Sequence, residues 1–84
     1  MVTITVIPDP PTPGDDVCVV VSGPGPGRPN VTVFVNGAAQ PLTSTAEIPG
    51  TVLTECFTVP ANTYSLEIQA YQAPCPLQSL AWSF

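Results

Sequence analysis

The chain has no histidine and no lysine, and Arg28 is its one basic side chain. Those absences remove the groups that most often serve as general bases or amine nucleophiles near neutral pH, and the serines and threonines have no activating partner in the sequence. An enzyme is therefore not expected. The charge balance is equally one-sided: Lys plus Arg is 1, Asp plus Glu is 6, and the formal net charge is -5. Such a surface repels a phosphate backbone and an anionic bilayer alike, so nucleic acid is not expected as a partner. No stretch approaches the roughly 20 uninterrupted apolar residues of a membrane-spanning helix, and membrane insertion is not expected either. The three cysteines, at 18, 56 and 75, match no zinc spacing and have no histidine to help them, and no motif asks for a cofactor. A targeting leader is not visible: Met1 is followed at once by V-T-I-T-V-I, with neither a basic stretch nor an apolar core. Either a leader has been removed or the protein reaches its place without one.

What is present points one way. At 84 residues the chain has the length of one domain with a thin core. Hydrophobic residues make up 44% and charged residues 8%, which rules out a disordered acidic segment. Twelve Pro and six Gly leave a long helix nowhere to sit, whereas strands separated by turns accommodate them. Residues 2–7 alternate Val2, Ile4 and Val6 against Thr3 and Thr5, the period of a half-buried strand. A stiff Pro-rich connection, 8–16, leads to a second strand, 17–22, with Val17, Val19 and Val21 inward and Cys18 and Val20 outward. The loop G-P-G-P-G-R-P, 23–29, has neither helix nor ladder propensity. In the third strand, 31–35, Val31, Val33 and Val35 oppose Thr32 and Phe34, and Asn36-Gly37 supplies the positive φ of a tight hairpin turn. A weak Thr-rich strand over 42–48 and a stronger one over 51–59 are separated by the turn Pro49-Gly50. Over 63–71, Tyr64, Leu66, Ile68 and Ala70 face one way and Ser65, Glu67 and Gln69 the other. After a rigid loop, 72–76, Leu80, Trp82 and Phe84 alternate along a final strand. Seven such strands imply an all-β, two-sheet sandwich.

Three segments carry a family resemblance: P-D-P-P-T-P-G-D-D-V-C-V-V-V-S-G, N-V-T-V-F-V-N-G, and V-P-A-N-T-Y-S-L-E-I-Q-A-Y. Together they resemble the bacterial immunoglobulin-like repeats of surface and adhesin proteins, over nearly the whole chain. The resemblance implies an immunoglobulin-like sandwich of about seven antiparallel strands and a spacer or adhesive role, with no functional residue carried across. Asn62 stands where those repeats usually have Gly, a change Asn accommodates because it also visits positive φ. Cys75 lies between two prolines where the repeats have a Gly- and Asp-rich segment.

In that fold the strands bearing Cys18 and Cys56 are antiparallel neighbours, with both cysteines pointing away from the core toward the same end. Cys75 falls at the opposite end, more than ~10 Å away at about 3.3 Å per residue. A Cys18–Cys56 bridge, contributing roughly 4 kcal/mol in the chain-entropy model, and three reduced cysteines are the two readings; Cys75 is then a free or intermolecular thiol. Asp9, Asp15 and Asp16 are the clustered carboxylates, and the preference of Asp for turns accounts for them better than a calcium site does. The sequon Asn30-Val31-Thr32 is more simply the start of a Thr-rich strand. Tyr64 and Trp82 are expected in the core or at a corner. Val20, Phe34 and Tyr71 are the candidates for an exposed apolar docking face, the alternative being that Phe34 belongs to the core.

These readings converge on a non-catalytic structural or interaction module on a larger virion or extracellular assembly. A phage capsid or tail decoration protein fits best, with a protein partner and homo-oligomers both open. The alternatives are a bacterial adhesin or pilus-like subunit, a designed or excised domain with no native partner, and a carbohydrate-binding module. Exposed aromatics flanked by Asn or Gln on one face would favour the last.

Overall fold

The structure is a computed structural model that describes residues 1–40 and 44–84. Among these residues there is no helix, and eight antiparallel strands follow in order: β1 (Thr3–Ile7), β2 (Asp16–Ser22), β3 (Asn30–Val35), β4 (Ala38–Ala39), β5 (Ser44–Thr45), β6 (Leu53–Thr58), β7 (Ser65–Tyr71) and β8 (Gln78–Ser83). They form two sheets, one ordered β1-β2-β6 and the other β4-β3-β7-β8, with β5 also paired to β3. The chain is an all-β sandwich.

Alternation explains the layers. Val17, Val19 and Val21 of β2 are buried, as are Val31, Val33 and Val35 of β3 and Leu66, Ile68 and Ala70 of β7. Val2, Val6, Ala46, Leu53, Phe57 and Val59 complete one apolar cluster between the sheets. β-Branched valine is stiff at χ1 and packs well on a pleated surface, so a Val-rich chain loses little side-chain entropy in such a core. Each fully buried Val contributes about 1.5 kcal/mol or more relative to an exposed one.

The turns follow their local chemistry. In Thr12-Pro13-Gly14-Asp15 the Asp15 N–H donates to the Thr12 carbonyl at 3.1 Å, with Gly14 at φ 91° where a type II turn requires a positive value. Asn36 (φ 53°) and Gly37 (φ 81°) join β3 to β4 as a two-residue hairpin turn with positive φ at both positions. Asn36 also acts across the chain, since its Oδ1 accepts the N–H groups of Tyr64 at 2.8 Å and Ser65 at 3.2 Å. It thereby fixes the entry into β7.

Four expectations are corrected. Of the strand expected over 42–48, the described part forms the two-residue β5, paired with Val31 and Asn30 at the start of β3, while Glu47 and Ile48 lie outside any strand. Residues 41–43 lie outside the described part. The short β4 brings the described strands to eight, in keeping with the expected sandwich of about seven. Tyr64 is neither core nor corner: it precedes β7 and is 63% exposed, because the chain bends at the Asn36 contact and Thr63 takes the buried position. Asn62 does not use positive φ; among the described residues Asn36 alone does so without being glycine. The turn at 60–63 closes instead through the Thr63 N–H and hydroxyl, both donating to the Pro60 carbonyl. On β8, Trp82 packs partly on the core but Leu80 remains 39% exposed, because the strand lies at a sheet edge.

Substitution at position 36 separates its two roles. Asn36→Gly keeps the positive φ and loses the two accepted hydrogen bonds, so about 1 kcal/mol of stability is lost; Asn36→Ala adds the left-handed penalty, for about 2–3 kcal/mol in all. Urea unfolding of the oxidised protein measures both, and equal losses would remove the conformational part of this account.

Candidate functional site

The candidate sites are surfaces, a disulfide and a loop platform. Register decides the disulfide. β2 and β6 pair with Val17 opposite Phe57 and Val21 opposite Leu53, which brings Cys18 directly opposite Cys56 on the outer face. The two sulfurs are bonded at 2.08 Å with a Cα–Cα distance of 4.0 Å. Cys56 is exposed and Cys18 half-buried, and beside them on β1 lies exposed Ile7, the register partner of Cys18. A shallow open depression lined by Asp16, Cys18, Cys56, Phe57 and Thr58 surrounds the bridge. Its one polar link is the Thr58 hydroxyl donating to Asp16 Oδ1 at 2.6 Å.

Cys75 is a free thiol in the loop after β7, half-buried against the core and facing Gly25. Cys18 lies near the start of β2 and Gly25 just beyond its end, so Cys75 and the disulfide occupy opposite ends of the sandwich.

The three candidate interface residues do not form one patch. Val20 is half-buried on the outer face of the β1-β2-β6 sheet, between Thr5 and Thr54. Phe34 and Tyr71 lie on the outer face of the other sheet, on the far side of the molecule. Phe34 is not core: Val33 and Val35 on either side of it are buried on the inner face, and it lies half-buried on the outer face between Ala39 and Glu67. Tyr71 is 38% exposed opposite Asn30, four positions along β7 from Glu67, or about 13 Å from the Phe34 row. Between them lie Thr32, Gln69 and Ser79, and the adjoining β8 positions are Ala81 and Ser83. Among the described strands of this sheet Glu67 is the one charged side chain. Asn30 is half-buried in the middle of the sheet, paired on both sides.

A platform at the other end went unseen in the sequence. Gln72 is fully buried, and its Oε1 accepts the Gly25 N–H at 3.0 Å while its Nε2 donates to the Gly27 carbonyl at 3.2 Å. The Gly27 N–H in turn donates to the Ala73 carbonyl at 3.0 Å, and the Gly50 N–H to the Gly27 carbonyl at 2.9 Å. A Cβ at Gly25 would meet that Ala73 carbonyl oxygen at 2.8 Å and one at Gly27 would meet it at 2.7 Å, too close for either to be accommodated without movement. The G-P-G-P-G loop is therefore closely packed on the 72–75 turn, where its composition alone indicated only a connecting loop without helix or ladder propensity. The legible signal was glycine at every second position, which leaves one side of an extended segment bare for another backbone.

Among the described residues no group of three His, Cys, Asp or Glu side chains could hold a metal ion. No family model, curated protein or solved structure matches the chain.

Two measurements test the staples at the two ends. The Cys18–Cys56 bridge spans 38 residues, so reduction or the Cys18→Ser/Cys56→Ser variant should lower unfolding free energy by about 4 kcal/mol. A loss under about 1 kcal/mol would show that the unfolded chain gains little from release. At the other end, Gln72→Met leaves the buried Gly25 N–H without an acceptor and should cost about 1–3 kcal/mol, with faster hydrogen exchange at Gly25. Unchanged Gly25 exchange would mean that another acceptor replaces Gln72.

Proposed function

We propose that this chain is a non-catalytic, immunoglobulin-like structural module that docks onto a larger virion or extracellular assembly, and that a phage decoration protein is its best-fitting role. The observation that carries this reading is the outer face of the β4-β3-β7-β8 sheet. There half-buried Phe34 and exposed Tyr71 stand among Ser, Thr, Ala and Gln, with Glu67 the one charged side chain on the strands of that sheet. Aromatic anchors on a surface depleted of charge have the composition of a docking core. The sheet orders, β1-β2-β6 against β4-β3-β7-β8, support the immunoglobulin-like reading. Disulfides persist in oxidising surroundings and on virion and cell surfaces, so the Cys18–Cys56 bridge favours both the virion role and the adhesin role over a reducing interior.

Carbohydrate binding is the second reading, and one observation favours it: Tyr71 stands beside Asn30 and near Gln69 on the same outer face. An aromatic ring with amides around it is the arrangement that stacks on a sugar and hydrogen-bonds its hydroxyls.

Gradient sedimentation of source material, probed with an antibody to the chain, tests the docking reading. The wild-type chain should run with the particle fraction, and Phe34→Lys/Tyr71→Lys, folded by circular dichroism, should fall at least about tenfold in that fraction, a change of 1.4 kcal/mol or more. Recovery of the wild type only as free chain overturns the reading, as does undiminished binding by the double variant. A glycan array on which Tyr71→Ala abolishes a wild-type signal would select the carbohydrate reading instead.

A further inference from the structure

We propose that the free edge of β8 is a self-association surface, through which two copies of this chain pair antiparallel about a two-fold axis. This inference is independent of the docking face, which lies on the broad side of the same sheet. Among the described residues β8 bonds only to β7. The Phe84 N–H donates to the Tyr64 carbonyl at 2.9 Å, so the backbone groups of Trp82, Leu80 and Gln78, alternating with it, face β7. The N–H and C=O groups of Ser79, Ala81 and Ser83 therefore point away from the sheet.

The other edges are guarded by familiar devices. β4 and β5 are two residues each. β1 runs directly into Pro8. β6 turns Glu55 toward the inner side, where Ser44 Oγ donates to its Oε1 at 2.7 Å and ties β5 of the opposite sheet across that flank. β8 is six residues long, with no proline, glycine or charge in Q-S-L-A-W-S.

Charge selects the occupant. All six acidic side chains lie at or before position 67, and from Ile68 to Phe84 no side chain is charged. Two copies, each at -5, can thus bring these edges together without apposing acidic side chains, which would oppose most other ways of joining two such molecules. A pairing centred on Ala81 sets Ser79 opposite the second copy's Ser83 and Leu80 opposite its Trp82. Leu80, 39% exposed, and half-buried Trp82 then cover each other twice across the axis, along the flank where β1 lies beside β8. The product is one sheet continuous through both molecules, gaining main-chain hydrogen bonds and an apolar cluster together.

Sedimentation equilibrium of the full oxidised chain over a range of concentrations provides the test. The wild type is expected to reach dimer mass, and Ala81→Lys, placing like charges on the axis, to weaken association at least about tenfold, or 1.4 kcal/mol. Ala81→Pro removes one outward N–H without touching the β7 ladder and should do the same. Circular dichroism and thermal melts identify any variant that fails to fold, and either folded variant suffices. A wild-type chain monomeric through the millimolar range overturns the proposal, and so does a folded Ala81→Lys variant that dimerises as the wild type does. Dimerisation unaffected by Phe34→Lys/Tyr71→Lys distinguishes this edge from the docking face.

Discussion

The register of β2 is the constraint from which most of the molecule follows. β2 lies between β1 and β6, and because strand side chains alternate with a period of two, a slip of one residue would expose Val17, Val19 and Val21 together. Three buried valines therefore hold one register against both neighbours. That register sets Cys18 opposite Cys56 on the outer face and Val20 opposite Thr54, and it leaves Glu55 turned toward the inner side where Ser44 can reach it. The disulfide locks a register that the core has already chosen.

Much of this was legible from alternation alone. Val17, Val19 and Val21 identified the inner face of β2, and Asn36-Gly37 identified the hairpin, because each signal is local and has a single physical cause. The failures fall where tertiary contacts override local pattern. Tyr64 fits the alternation of Leu66, Ile68 and Ala70, yet a side chain 28 positions earlier takes its N–H and bends the backbone out of strand. The Thr-rich stretch before Pro49 has strand propensity, but among the described residues its pairing is with the first residues of β3 alone. Leu80 alternates correctly with Trp82, and only its place at the rim of the sandwich leaves it exposed.

The surfaces were less legible than the core. Val20, Phe34 and Tyr71 share the property of pointing outward, but outward means opposite directions for the two sheets, and assigning a residue to a sheet requires the pairing order. The Gln72 clamp shows the reverse problem. A glutamine is ordinarily a surface residue, and nothing beside it in the chain reveals that its amide satisfies a glycine N–H 47 positions away. Its burial becomes intelligible only with the Gly loop laid over it.

The pairing order also fixes where the chain enters and leaves. β1 begins opposite Ser22, near the Gly loop, and β8 ends opposite Ser65, near the Asn36 turn, so the first and last described residues lie toward opposite ends of a molecule 37 Å long. Both terminal strands run between those two ends, with their ladder hydrogen bonds across the strand direction. Tension applied through the two ends would load the β1–β2 and β7–β8 ladders in shear, straining many bonds at once instead of opening them singly. Along that direction the two terminal ladders would be loaded where they are stiffest.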